Sequence, residues 1–102
     1  MNLASIVEQH PATATALVFR GTAISYGELR RDIASMRGAL LANGVEAGDT
    51  VALLCGNSRY FVVSYFATLG IGAAAVPLNL ISPAAELQRE LDEVQPSAVV
   101  IE

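Results

Sequence analysis

The chain has 102 residues, of which 53% are hydrophobic and only 16% charged, and its net charge is −4. This length permits one domain or part of one. Basic residues form no cluster, because Arg30 and Arg31 lie between Glu28 and Asp32, and this charge pattern excludes nucleic acid as a partner. The single cysteine, Cys55, excludes an intrachain disulfide. The first residues lack the basic and apolar regions of a secretory signal, so we expect a cytoplasmic location.

The first 44 residues predict a helix, a β-hairpin and a second helix. The first helix follows Asn2, its candidate N-cap, and continues to about Gln9. The apolar runs 16–19 and 23–24 lie on either side of a turn at 20–22, and this arrangement is typical of a small hairpin.

The second helix has the clearest start signal in the sequence. Ser25 and Glu28 form a Ser-x-x-Glu capping box, in which the serine accepts from the Glu28 amide. Gly44 after Asn43 provides a left-handed stop. The core-facing stripe of this helix is expected to consist of Leu29, Ile33, Met36 and Leu40.

Residues 45–102 predict a β-α-β-α-β unit. Apolar strands are expected at 49–54, 73–76 and 97–101. The helix between the first two starts at a cap on Asn57 or Ser58 and ends at Gly70–Gly72. The next helix starts at Ser82, with Pro83 at its first position. Strands that alternate with helices at this spacing indicate a parallel sheet.

The predicted fold class is therefore α/β, with an N-terminal hairpin and helices leading into half of a doubly wound parallel sheet. A parallel sheet needs cover on both faces, and these few helices leave it incomplete. We expect the chain to be part of a larger domain. An open strand edge also pairs readily with another strand, so we expect self-association through this edge of the sheet.

One uncharged stretch raises the question of a membrane. No charged residue occurs from Tyr60 to Ala85, and about 20 apolar residues suffice to span a bilayer. Gly70, Gly72 and Pro77 interrupt the stretch, however, and a buried helix followed by a buried strand explains the same residues. We therefore argue against a membrane span. The aromatic residues of this stretch are expected to pack in the core or between helices, namely Tyr60, Phe61, Tyr65 and Phe66.

Few residues of the sequence suggest chemistry. The segment Gly70–Ala75 has the letters of a dinucleotide fingerprint, but here a helix precedes it and a strand follows it, the reverse of what phosphate binding needs. The turn from Cys55 to Ser58 lies at a strand end, where a helix N-terminus could lower the thiol pKa. We favour a tight turn with a small buried thiol. The lone His10 excludes a histidine-based metal site.

The order of these features resembles a known family. The segment 15–29, TALVFRGTAISYGEL, is similar to the N-terminal hairpin and helix of acyl-CoA synthetases and related adenylate-forming enzymes. The segment 44–54, GVEAGDTVALL, is similar to their Gly-Val-x-x-Gly-Asp-x-Val-Ala strand. The segments 65–73 and 76–79 continue the likeness, which covers essentially the whole chain.

The resemblance implies an N-terminal subdomain of a ligase. Such an enzyme uses ATP and Mg²⁺ to activate a carboxylic acid as an acyl-adenylate and then passes the acyl group to a thiol, usually that of coenzyme A. The family's phosphate loop and catalytic lysine lie downstream of this region, so the resemblance places no catalytic residue and no metal site here. We expect the 102 residues alone to be inactive, to bind none of these cofactors tightly, and to partner the remainder of the ligase domain.

One weaker assignment also comes from the resemblance. In acetyl-CoA synthetase-like members the turn after the second parallel strand lies near the path by which coenzyme A reaches the site, and by register this turn is Leu78, Asn79 and Leu80. The chain lacks the glycine pair that some relatives have there. The other interpretation is a strand-end turn in which Asn79 bonds to local backbone.

Two further hypotheses about the whole chain stay open at this point. One is a stand-alone Rossmann-like module that binds a nucleotide or coenzyme A at its strand ends. The other is a membrane-associated interaction fragment that uses the uncharged stretch 60–85.

Overall fold

The computed structural model describes residues 3–56 and 58–102. The candidate caps Asn2 and Asn57 lie outside these residues. The elements in chain order are a 3-10 helix (Leu3–Glu8), β1 (Thr15–Phe19), β2 (Thr22–Ser25), α1 (Tyr26–Ala42), β3 (Thr50–Leu54), α2 (Arg59–Ile71), β4 (Ala74–Pro77), α3 (Ala84–Val94) and β5 (Ala98–Ile101). The predicted α/β class, with a hairpin and helices before a βαβαβ unit, is confirmed.

The hairpin of β1 and β2 is antiparallel and turns over two residues. Arg20 has φ of 51° and Gly21 has φ of 80°. Two positive φ values at the centre of a two-residue loop match the right-handed twist of the flanking strands. The turn is therefore one residue shorter than the predicted turn at 20–22.

Helix α1 begins as the capping box predicts. The Glu28 amide donates to Ser25 Oγ at 3.2 Å, and the helix ends at Asn43, followed by Gly44 with φ of 88°. The predicted stripe faces the core: Leu29, Ile33 and Leu40 are buried and Met36 packs against them.

The three-stranded sheet has the order β4-β3-β5, and both pairs are parallel. Central β3 is buried from Val51 to Leu54. Because side chains alternate along a strand, Val51 and Leu53 face the core that α1 and α2 complete, while Ala52 and Leu54 face the opposite side. Both faces of β3 are thus screened from water.

Helix α3 covers its side of the sheet only in part. Its residues Leu87, Leu91 and Val94 are half-buried, and none of its residues is fully buried. The start of this helix also differs from the prediction. Pro83 has ψ of 146°, outside the helical range, and its carbonyl accepts the first helical hydrogen bond from Leu87 at 3.0 Å. Pro83 is therefore the N-cap rather than the first helical residue.

Helix α2 contains 13 residues and ends at Gly72, which is left-handed with φ of 88°. Phe61, Tyr65 and Phe66 pack against the core as predicted. The prediction was wrong for Tyr60, whose surface is 56% exposed. In the described part of the chain, no helix combines the length and the apolar character that crossing a membrane requires.

Candidate functional site

The strand order places a topological switch point between β3 and β5. The chain leaves β3 to form β4 on one side, and after β4 it passes β3 to form β5 on the other. In open parallel sheets ligands bind beside the carboxyl ends of strands at such a point. The residues that follow β3 and β5 are therefore the natural candidates for a site.

These two strand ends are joined by a carboxylate. Glu102 Oε1 accepts from the Gly56 amide at 3.2 Å and from Ser58 Oγ at 2.8 Å. Ser58 is the N-cap of α2 by position, but its side chain makes no capping hydrogen bond. The predicted N-cap position at Ser58 is therefore confirmed, while its hydroxyl group donates to Glu102.

Cys55 lies beside this junction. Its thiol is 3.9 Å from the carbonyl oxygen of Val100. Partial burial, and then the negative charge of Glu102, raise the pKa of Cys55 above its ordinary value. A thiol with a raised pKa is mostly protonated and weakly nucleophilic. The raised pKa argues against an activated thiol at this strand end, and the preferred interpretation as a turn with a partly buried thiol agrees with the structure.

The turn after β4 contains the three residues that the resemblance assigned to coenzyme A. The Leu78 amide donates to the carbonyl of Leu53 at 2.9 Å and so extends the sheet by one bond. Asn79 Oδ1 accepts from the Ile81 amide at 3.1 Å, which is the local turn chemistry of an asparagine. Leu80 is 45% exposed. The assignment to coenzyme A stays a prediction.

A cleft of about 410 Å³ lies between the turn that follows β3 and the turn that follows β4. Leu80 lines it together with Gly56, Ser58 and Glu102, and the hairpin adds Phe19 and Arg20. The Arg20 guanidinium lies over the Phe19 ring, 5.4 Å from its centroid. Sequence reasoning gave these two hairpin residues no role at a site, because only the folded chain brings the hairpin turn to the sheet edge.

The sole histidine takes a structural position away from this cleft. The His10 ring stacks on the Tyr26 ring with 4.5 Å between centroids. The backbone carbonyl of His10 accepts a hydrogen bond from Arg30 Nη2 at 3.0 Å. Within residues 3–56 and 58–102, no three His, Cys, Asp or Glu side chains are grouped so that they could hold a metal ion.

Comparison with known proteins identifies the family. The sequence model described as AMP-binding enzyme matches residues 3–102. The chain belongs to the AMP-binding enzyme family. The match confirms the resemblance to the N-terminal segment of an adenylate-forming enzyme and supports an acid-ligase type of protein.

Three relatives of the AMP-binding family illustrate the likeness. A feruloyl-CoA synthase of Amycolatopsis sp is 38% identical over 87 residues, which is 85% of this chain and 18% of that protein. The hybrid PKS-NRPS synthetase gkaA of Penicillium citrinum is 35% identical over 97 residues, 95% of this chain and 2% of that protein. The crystal structure of the anthranilate CoA ligase AuaEII with anthranoyl-AMP superposes with a TM-score of 0.92 at 25% identity and covers 99% of this chain and 20% of that one.

This chain therefore spans about a fifth or less of the length of these family members. The family implies a nucleotide, whose triphosphate would need hydrogen-bond donors in the cleft. A helix N-terminus binds phosphate through free donors, but here Gly56 N and Ser58 Oγ already donate to Glu102, and the cleft adds the Arg20 guanidinium. With Glu102 in this place, Gly56 N and Ser58 Oγ are not available to a triphosphate.

Proposed function

We propose that this chain is a scaffold segment of an ATP-dependent acid–thiol ligase. The complete enzyme activates a carboxylic acid as an acyl-adenylate and transfers the acyl group to coenzyme A. The observation that carries the proposal is the family match across residues 3–102. It is supported by the fold of AuaEII, a CoA ligase whose structure contains an acyl-AMP, and by the likeness to a feruloyl-CoA synthase.

ATP and Mg²⁺ act in this proposal as the substrate and its counter-ion in the complete ligase. They are held by parts of the enzyme outside these 102 residues. Two features of the chain support this division. Two donors at the cleft, Gly56 N and Ser58 Oγ, are engaged by Glu102, and the sequence has no Gly-rich loop that ends in Gly-Lys-Ser or Gly-Lys-Thr. The chain on its own is therefore inactive and binds these cofactors weakly.

A carrier-protein thiol is the second candidate for the acceptor. Its support is the 35% identity to a hybrid PKS-NRPS synthetase over 95% of the chain. Transfer to coenzyme A and transfer to a carrier protein both follow the same adenylation step. The two reactions differ only in the thiol that receives the acyl group.

Acid-dependent exchange of labelled pyrophosphate into ATP tests the adenylation step in the ligase that carries this segment. The proposal predicts exchange with at least one member of a panel of carboxylic acids that contains aromatic acids, acetate and fatty acids. Absence of exchange across the panel contradicts it. Adding coenzyme A or a phosphopantetheinyl carrier protein after adenylation then separates the two acceptors, because only the true acceptor gives a thioester.

The turn after β4 offers a test of coenzyme A access in the same ligase. Leu80 lines the cleft, whereas its neighbour Ile81 is 88% exposed. The two side chains are equal in size, so Ile81 serves as a matched control for Leu80. Leu80→Ala raises the apparent KM for coenzyme A, whereas Ile81→Ala leaves it unchanged. An equal effect of both substitutions, or none, argues against coenzyme A at this turn.

The two other hypotheses predict different behaviour for the chain alone. A stand-alone nucleotide- or CoA-binding module gives saturable binding in calorimetry. A membrane-associated fragment floats with liposomes. We propose that the chain does neither, and a positive result in one assay favours the corresponding hypothesis.

A further inference from the structure

A second, smaller pocket lies at the switch point, next to the cleft. It has a volume of about 190 Å³ and opens between α1, α2 and the ends of β3 and β5. Glu102 borders both spaces. The remaining wall is formed by Met36, Cys55, Tyr60, Ser64, Val100 and Ile101. Most of these side chains are apolar, so the pocket suits a mainly apolar guest.

The buried side chain of Ser64 is the unusual feature of this wall. Ser64 is 0% exposed, and its Oγ has no hydrogen-bond partner among the described residues. Its backbone carbonyl, by contrast, accepts from Thr68 Oγ1 at 2.7 Å. A buried hydroxyl without a partner destabilises a fold. Such a group next to a pocket is a hydrogen-bonding position that a guest would complete.

We propose that this pocket binds a small, uncharged cyclic molecule that carries one hydrogen-bonding group, and that Ser64 Oγ bonds to that group. An apolar cavity of roughly 150 Å³ is large enough for benzene, so 190 Å³ holds one six-membered ring with a small substituent. The ring packs against Met36 and Val100. Phenol is the simplest molecule of this class.

Charge separates this ligand from the acid that the ligase activates. The carboxylate of Glu102 borders the pocket, and like charges at close range repel each other in a partly buried setting. An anion such as benzoate is disfavoured, whereas a neutral phenol is not. The pocket is therefore a site separate from that of the acid substrate, and the inference does not rest on the proposed ligase activity.

Cys55 provides a built-in reporter, because it lines the pocket and is the only cysteine of the chain. The experiment uses the 102-residue chain. It measures the rate at which iodoacetamide alkylates Cys55 at fixed pH, as a function of the concentration of phenol, toluene or benzoate. Phenol lowers the rate in a saturable manner, and benzoate does so only at much higher concentration. Ligand-observed NMR on the same samples checks that protection coincides with binding.

Ser64→Ala isolates the role of the hydroxyl group. The substitution removes a buried group that has no partner, so it leaves the fold intact, which circular dichroism verifies. Comparing phenol with toluene in both proteins forms a double-mutant cycle. We expect Ser64→Ala to reduce the preference for phenol over toluene by about fivefold, the equivalent of one ordinary hydrogen bond. Ser82→Ala, in the turn before α3, is the matched control and keeps the preference.

Three results overturn the inference. The first is no saturable binding of phenol by either readout. The second is benzoate binding as tightly as phenol. The third is an unchanged preference for phenol over toluene in Ser64→Ala, which makes the unpaired hydroxyl a packing defect and not a ligand contact.

Discussion

Ser58 Oγ donates to Glu102 Oε1 at 2.8 Å, across 44 positions of the sequence. The bond joins the start of α2 to the end of β5, and the Gly56 amide donates to the same oxygen at 3.2 Å. A carboxylate is favourable at a helix N-terminus because of the partial positive charge there. Glu102 thus stabilises the α2 terminus that the Ser58 side chain leaves uncapped.

Neutralising this carboxylate alters the ionisation of Cys55. Burial and the charge of Glu102 both raise the pKa of the Cys55 thiol, burial being the larger cause. Glu102→Gln removes only the second cause. The thiol pKa therefore falls but stays above its ordinary value, and the pH at which alkylation reaches half its maximal rate moves to lower pH. The measurement is the rate of iodoacetamide labelling as a function of pH.

Glu93→Gln is the control for that experiment, because Glu93 is exposed on α3 and its loss changes the net charge of the chain by the same amount. It leaves the half-maximal pH of Cys55 unchanged. Equal shifts in both variants would mean that net charge, and not the contact at the strand ends, governs the thiol.

The cap of α1 is expected to contribute measurable stability. Ser25→Ala removes the acceptor of the Glu28 amide, and loss of such a cap costs about 1 kcal/mol of unfolding free energy. Ser35→Ala, at an exposed position within the same helix, is the control and changes stability little. Urea denaturation followed by circular dichroism gives both values. A loss below a few tenths of a kcal/mol for Ser25→Ala would contradict the role of the cap.

Local signals in the sequence predicted most of the fold. The capping box at Ser25 and the left-handed Gly44 set the ends of α1 because each acts within a few residues of itself. The apolar strands and their parallel pairing followed from the alternation of strands with helices. The start of α3 was displaced by one residue, since sequence patterns do not show whether a proline adopts helical ψ.

The candidate site was less predictable, since it depends on contacts between distant segments. The sequence pointed to Cys55, Ser58 and Leu80 as residues at strand ends; Cys55 and Ser58 lie at the switch point, and Leu80 lines the cleft beside it. Nothing in the sequence showed that Glu102 would take the Ser58 hydroxyl group or that Arg20 would reach the cleft. These contacts exist only after the sheet has assembled.

Two glycines are expected to change stability in opposite directions when each is replaced by alanine, namely Gly72 at the left-handed end of α2 and Gly38 within α1. Gly72 has φ of 88°, and an added Cβ would lie 3.4 Å from Ala47 Cβ. Gly72→Ala is expected to lower the unfolding free energy by about 1–2 kcal/mol, because a side chain is strained in that conformation. Gly38 lies within α1 with nothing near its Cβ position, so Gly38→Ala raises stability by about 0.5–1 kcal/mol. Thermal unfolding of both variants checks this, and effects of equal sign would contradict the argument.

We propose that the chain self-associates through the edge of β5. In the described part of the chain β5 pairs only with β3, and Val99 on this edge strand is 41% exposed. Val99→Lys weakens the association, because a charged residue on an edge strand opposes pairing. Val18→Lys, at a 69% exposed position of the hairpin, leaves it unchanged. Sedimentation velocity at high concentration decides, and a monodisperse wild-type monomer contradicts the proposal.

The most direct test of the scaffold proposal is pyrophosphate exchange by the purified 102-residue chain, measured beside the ligase that carries this segment. Both receive ATP, Mg²⁺ and the same panel of carboxylic acids. The account predicts acid-dependent exchange by the ligase and none by the chain, because the chain has no phosphate loop of its own and its strand-end donors are engaged by Glu102. Acid-dependent exchange by the 102 residues alone would contradict it.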